Sequence, residues 1–423
     1  MRLDIKNIGK IGSATVDING ITVIAGENNT GKSTVGKVLF CIFNSFFQIQ
    51  EQINLERKIA ISEIIDRSYL NATNRYTMRF DSEDFADILL QNSDNLVNTD
   101  EIENVLNELY TQSDNNFNKI KARDSVEDAA EKIKDILNIP DKEIFRTVLS
   151  KRMAAEFNGQ INNIYNPQKE GIIKLTIKNE DIIVNISNDE VSTISDSFNL
   201  NTEVIYIDDP FVLDEVRRPR NYRVGSLRHR DHLILKLYSN TENSSVKNAI
   251  SEIVVSKKLE AVFNKLNSIC SGEIVRSAPR GYAYQVVTSD ALLDVRNIST
   301  GLKTFVILKT LLLNSSIESN GCITLDEPEI HLHPEWQLIF AELIVLIQKE
   351  FGLHILLNTH SPYFLNAIEV YSAKHQIADK CKYYLAENQG DQSILTDVTN
   401  DIEVIYAKLA SPLQKLETER YAE

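Results

Sequence analysis

The apolar positions of the first 26 residues alternate with polar ones at the period of a β-strand. Leu3-Asp4-Ile5 and Ala14-Thr15-Val16-Asp17-Ile18 place every second side chain on one face, which predicts short, half-buried strands. Ile21-Thr22-Val23-Ile24-Ala25 is instead a continuous apolar, β-branched run, the pattern of a strand covered on both faces. Gly26 ends it. Beyond Lys32 the period becomes helical, with Val35, Val38, Leu39, Ile42, Phe43 and Phe46. A helix this apolar is predicted to be buried on most sides.

Residues 48–155 are rich in Asp, Glu and Asn, with helical periodicity over Glu101–Tyr110 and Val126–Leu137. They predict an inserted acidic, mostly helical subdomain, although a solvated charged surface explains the acidity equally well. Strand patterns return at Ile172–Ile177, Ile182–Ile186 and Val204–Ile207. A helix with Ser244 or Ser245 as its cap is predicted through Ile250, Ile253, Val254, Val262, Phe263, Leu266 and Ile269, and two strands flank the turn Ala278-Pro279-Arg280-Gly281. Leu302–Asn314, Ile323–Leu325, Glu335–Lys349 and Ile355–Leu357 then alternate helix and strand, which predicts a parallel α/β core. Strands around Tyr383–Leu385 and Ile394–Thr396 and a helix over Asp401–Glu417 follow. The expected divisions are 1–47, 48–155, 156–215, 216–290 and 291–423, the second an insertion and the fourth an arginine-rich segment with a helical and strand arm.

Composition narrows the class. No apolar run approaches the roughly 18 residues of a membrane span, and no signal peptide is evident at Met1-Arg2-Leu3-Asp4. Cys41, Cys270, Cys322 and Cys381 lie far apart without metal-type spacing, which suits a reducing cytoplasm. A net charge of -15 argues against a surface that grips nucleic acid throughout, and leaves room for a local basic track. Arg217, Arg218, Arg220, Arg223, Arg228 and Arg230 form the one dense basic segment. It suits phosphates of nucleic acid, the acidic insertion or a protein partner, and simple solvation explains it equally.

Gly26-Glu27-Asn28-Asn29-Thr30-Gly31-Lys32-Ser33 is a complete phosphate-loop pattern between a buried strand and a helix. Its glycines let backbone amides turn toward phosphate oxygens, and the helix dipole points the same way. Gly26, Asn28, Asn29, Thr30, Gly31, Lys32, Ser33 and Thr34 are the expected nucleotide-binding residues. Lys32 would reach the β- and γ-phosphates of ATP, and the Ser33 hydroxyl would hold Mg2+. Cys322-Ile323-Thr324-Leu325-Asp326-Glu327-Pro328 supplies two carboxylates at a strand end. Asp326 would bind the metal, and Glu327 would act as general base on water. Val204-Ile205-Tyr206-Ile207-Asp208-Asp209-Pro210 has the same shape and competes for that role.

The order of phosphate loop, Ile298-Ser299-Thr300-Gly301-Leu302-Lys303, Leu325-Asp326-Glu327-Pro328 and Asn358-Thr359-His360-Ser361-Pro362 resembles ABC-type ATPase heads. Within that class it is similar to RecF, SMC and the ATPases of overcoming-lysogenization-defect (OLD) and Septu-type bacterial defence systems. Asp326-Glu327-Pro328-Glu329-Ile330-His331-Leu332-His333-Pro334 and Thr359–Leu365 look most like the defence group. The likeness covers the first fifty residues and roughly the last 130. It implies an α/β P-loop NTPase of ABC/SMC-like head type with a mostly helical insertion. It implies that Ser299 and Gly301 clamp the γ-phosphate bound by a second protomer, with Lys303 adding charge, where many members have two glycines and a glutamine. It also implies that His360 senses the γ-phosphate, that Gln160 is a candidate for the glutamine lever at the metal, and that His331 and His333 belong to the loop facing the other protomer.

These readings predict a cytoplasmic ATPase that pairs on ATP as a homodimer or higher oligomer. It would be the regulatory ATPase of a DNA-associated or anti-phage defence system with a separate, nuclease-like effector, without a membrane partner. The alternatives are the ATPase subunit of a transporter, whose heads are usually shorter and carry a fuller signature, and a nucleotide-gated binding module with little hydrolysis.

Overall fold

Every residue of the apolar run Ile21–Gly26 is buried, and it forms β3, a strand inside an eleven-stranded sheet. The computed structural model describes residues 1–73, 81–92, 98–113, 117–195, 199–215, 227–238, 260, 262–277, 281–286 and 292–421. The chain divides into two compact units, residues 1–47 with 149–423 and residues 48–148.

In the first unit β3 lies between β12 (His354–Thr359) and β13 (Cys381–Gln389). Beyond β12 come β11 (Cys322–Asp326) and the edge strand β7 (Val204–Ile207), all five running parallel. Helix α1 (Lys32–Phe46) packs on one face of these strands. The other face carries Ile21, Val23, Ile205, Ile323, Leu325, Ile355 and Leu357 into one core with Phe305, Leu311, Phe340, Ile344 and Phe364. Those come from α8 (Thr300–Leu313), α9 (Pro334–Phe351) and α10 (Pro362–Lys374), which follow α7 (His229–Tyr238) in the chain. Cover on both faces is why the central strands show no alternation in sequence.

The other half of the sheet is largely antiparallel. β1 (Arg2–Ile8) pairs with β2 (Ile11–Asp17) and with β4 (Gly171–Ile177). β5 (Glu180–Ser187) and β6 (Glu190–Ile194) extend it to the far edge. β14 (Gln392–Asp397) joins the halves, antiparallel to β13 and parallel to β2. A separate sheet holds β8 (Gly272–Ser277), β9 (Gly281–Val286) and β10 (Leu292–Asp294). The expected turn residues 278–280 and the expected helix positions through Val254 lie outside the described residues.

The second unit is helical, with α2 (Ile49–Thr73), α3 (Ser82–Gln91), α4 (Thr99–Ser113) and α5 (Lys119–Asn138) around their own core. Ile61, Ile65, Phe85, Leu106, Tyr110, Val126 and Ile133 fill it, and the Tyr110 hydroxyl donates to the Ile65 carbonyl at 3.1 Å. The unit boundary falls after Val148, inside α6 (Asp141–Glu156), seven residues before the position read from composition. The last turn of α6 belongs to the first unit, where Arg152 and Glu156 are buried. All four cysteines are buried and unpaired. Among the described residues no helix is long and apolar enough to cross a membrane.

Candidate functional site

Register brings the functional residues together. Asp326 pairs with Asn358, and Thr359 pairs with Ala25. The carboxyl ends of β11, β12 and β3 therefore lie side by side, the place where parallel α/β sheets present ligand sites.

Glu27, Asn28 and Asn29 are exposed, and the chain then turns inward. The buried Thr30 donates its hydroxyl to the Glu27 carbonyl at 2.8 Å. Gly31, directly before α1, has φ 76°, a left-handed conformation that a β-carbon opposes. Lys32 is 4% exposed. Its ammonium donates to the Gly26 and Glu27 carbonyls at 3.0 and 2.8 Å and lies 3.6 Å from Glu327 Oε1. Burial lowers its pKa, against the pull of Glu327 and Asp326. Ser33 is half-buried, and Thr34 lies beside Gly9 of the β1–β2 turn.

Asp326 is held by two donors. The Tyr206 hydroxyl meets Oδ2 at 2.8 Å, and the Asn358 amide meets Oδ1 at 2.9 Å. Each carboxylate oxygen keeps a further lone pair. With the Ser33 hydroxyl they form a hard-oxygen donor set of the kind Mg2+ prefers, so these residues fit that ion.

Glu327 has φ 50°, a region non-glycine residues seldom enter. Its N–H donates to the Asn358 carbonyl at 2.9 Å. The resulting turn places Oε1 between Lys32 Nζ and His360 Nδ1, the latter at 3.3 Å without hydrogen-bond alignment. His360 is in turn fixed from below. Its backbone N–H donates to Glu329 Oε1 at 3.3 Å, and the Thr359 hydroxyl donates to the same oxygen. Glu329 is 2% exposed, and burial raises its pKa. Sequence reasoning gave no role to Tyr206, Asn358 or Glu329. The last two stand inside motifs whose neighbours carry the chemical signal, and Tyr206 precedes the competing Asp208-Asp209.

That competing pair is otherwise engaged. His229 Nε2 meets Asp208 at 2.8 Å, and its Nδ1 meets Glu156 at 2.5 Å. Asp209 accepts from Arg230 at 2.8 Å, as does Glu215 at 2.9 Å. Arg230 is thus ion-paired rather than part of a free basic track, and Arg217–Arg223 lie outside the described residues.

Ser299 is exposed at the start of α8, and its side chain makes no capping bond. Gly301 is buried, and a β-carbon there would lie 2.9 Å from the His331 carbonyl, so the helix approaches that loop too closely for any side chain. Lys303, which the resemblance implied would add charge at the clamp, is engaged within its own protomer. It is 2% exposed, bonds Asp214 at 2.5 Å and lies 5.1 Å from the Phe211 ring centre. One helical turn inside α8, its side chain faces inward. His331 is exposed and edge-on to Phe211, and His333 caps α9 by accepting the Glu335 N–H at 3.4 Å. Gln160 is exposed in the turn after α6. Among the described residues no hydrogen bond joins its side chain to Asp326.

The family described as AAA ATPase domain matches residues 1–365. The chain is also similar to the "Retron Vc95 probable ATPase" of Vibrio cholerae serotype O1 biovar El Tor, at 29% identity over 94 residues. That match takes in 20% of this chain and only 18% of that protein. Among solved structures it is similar to an SMC head domain from Thermotoga maritima, at 11% identity, with a TM-score of 0.38 and coverage of 94% of this chain and 98% of that one. It is similar also to an SmcHead bound to the C-winged helix domain of ScpA, at 12% identity, with a TM-score of 0.42 and coverage of 95% and 98%.

Proposed function

Because the chain belongs to the AAA ATPase domain family, we propose that it binds Mg-ATP at the loop Gly26–Thr34 and hydrolyses it with Glu327 as general base. The observation that carries this reading is the meeting of Lys32, Glu327 and His360 around one carboxylate oxygen. Lys32 presently serves two carbonyls and Glu327. A γ-phosphate arriving over the loop would draw the ammonium away and leave the Glu327 carboxylate to orient a water for in-line attack. Ser33 and Asp326 would hold Mg2+, which when bound neutralises charge on the β- and γ-phosphates. His360, with its backbone N–H fixed to Glu329, would meet the γ-phosphate with its imidazole.

Two heads would close on the nucleotide. Ser299 supports this, because its hydroxyl is exposed and unused at a helix N-terminus, where an anion is favoured. Exposed Ile330 and Tyr363, 53% and 71% accessible, give the surrounding surface apolar contacts to bury. The chain would act as the regulatory ATPase of a defence system whose effector is a separate polypeptide. The similarity to a retron's ATPase supports the setting.

The test is purified protein assayed for ATP turnover and for metal-dependent cleavage of DNA and RNA. Turnover that disappears in Lys32→Ala, with no cleavage, is the expected result. Turnover that survives Lys32→Ala overturns the site. Cleavage that survives the same substitution and is lost in a chelator overturns the separate effector.

A further inference from the structure

Tyr206 lies on β7, the strand beside β11, and is fully buried. Its hydroxyl stands 2.8 Å from Asp326 Oδ2 and 3.5 Å from the Ser33 carbonyl. It therefore touches both segments expected to supply metal ligands. Its ring lies 4.4 Å from that of His229, centre to centre, tilted by 30°. His229 is held in turn between Asp208 and Glu156. Asp208 stands one residue past the end of β7, and Glu156 ends α6. Residues of β7, β11, α1, α6 and the helix that starts at His229 thus meet around one phenol and one carboxylate.

From this arrangement we infer that Tyr206 is a positioning residue for magnesium: it sets the rotamer of Asp326, and the clamped His229 ring keeps the phenol in place. The physical reasoning is short. A carboxylate that must present one lone pair to a small octahedral cation loses affinity if it swings. Asn358 restrains one oxygen of Asp326 and Tyr206 the other, so the carboxyl plane is fixed before any ion arrives. A carboxylate can only accept, so in this bond the phenol hydroxyl is the donor. Tyr206 would touch neither nucleotide nor water, and its effect would pass through Asp326 alone.

The inference rests on the Mg-ATP reading, and one experiment separates the two. Binding of a fluorescent, non-hydrolysable ATP analogue is titrated with Mg2+ in the full chain, in Tyr206→Phe and in His229→Gln. Analogue binding by the wild type that ignores Mg2+ would contradict the Mg-ATP reading itself. Given a Mg2+-dependent wild type, Tyr206→Phe should raise the half-saturating Mg2+ concentration about tenfold or more, with unchanged analogue binding in its absence. His229→Gln keeps the hydroxyl and should shift the midpoint the same way by less. An unchanged midpoint in either folded variant overturns the inference. So does an equal loss of binding with and without Mg2+, which would make the ring merely structural.

Discussion

Lys32 and Lys303 are both nearly inaccessible, and their partners give them opposite uses. Lys32 faces two backbone carbonyls and a carboxylate at ion-pair distance, contacts that a phosphate can replace. Lys303 is locked on Asp214 beneath Phe211, and its chemistry is spent on holding α8. The local pattern that marks Lys32 is eight residues long and sufficient. Nothing near Lys303 in sequence announces Asp214, 89 positions away, so its burial was not to be read there. The same holds for His229. Burial pushes it toward the neutral form, but Asp208 and Glu156 outweigh burial and hold its pKa at about 9, above the ordinary 6.5. A raised pKa in the folded state stabilises the fold fully below pH 6.5 and ceases to do so as pH rises through about 9. Lys37, 3.9 Å from Glu156, and Arg230, whose charge acts on Asp208, are further cations facing this cluster. The thermal midpoint of the wild type should therefore fall between pH 6.5 and 9 by more than that of His229→Gln. Parallel curves over that window would show that His229 is not charged in the fold.

Among the elements, β3, the loop after it and α1 were plain from sequence because strand, turn and helix adjoin and each has its own period. β11 with Asp326 and β12 before His360 were plain for the same reason. The antiparallel half of the sheet was not. The first strand pairs with β4 near residue 174, and β14 pairs with β2 from the far end of the chain. Short alternating runs show which residues face inward but not which strand lies alongside. Helix α8 tests the idea of two heads. Ser299, its N-cap, is exposed and Lys303, its fourth residue, is pinned inward, so a change at Ser299 leaves the packing untouched. Ser299→Arg should retain ATP binding and thermal stability while losing turnover and ATP-dependent association, followed by light scattering. Full turnover in this variant, or in a preparation that stays monomeric with ATP, would contradict a shared site.

On the scale of the whole molecule, acidity and burial separate cleanly. The inserted unit reads as charged and asparagine-rich, yet it has an apolar core of its own. Its longest helix, Ile49–Thr73, spreads polar and apolar residues around its girth, which is why periodicity picked out α4 and α5 and passed over it. The nucleotide site lies wholly in the first unit, on residues that the chain supplies before and after the insertion. That division lets the site be judged alone. The decisive measurement is ATP binding and steady-state turnover of Glu327→Gln beside the wild type, with Mg2+ present. A site that uses Glu327 as its base predicts binding within a few-fold of wild type and turnover lowered by roughly a hundredfold or more. Wild-type turnover in Glu327→Gln would contradict it.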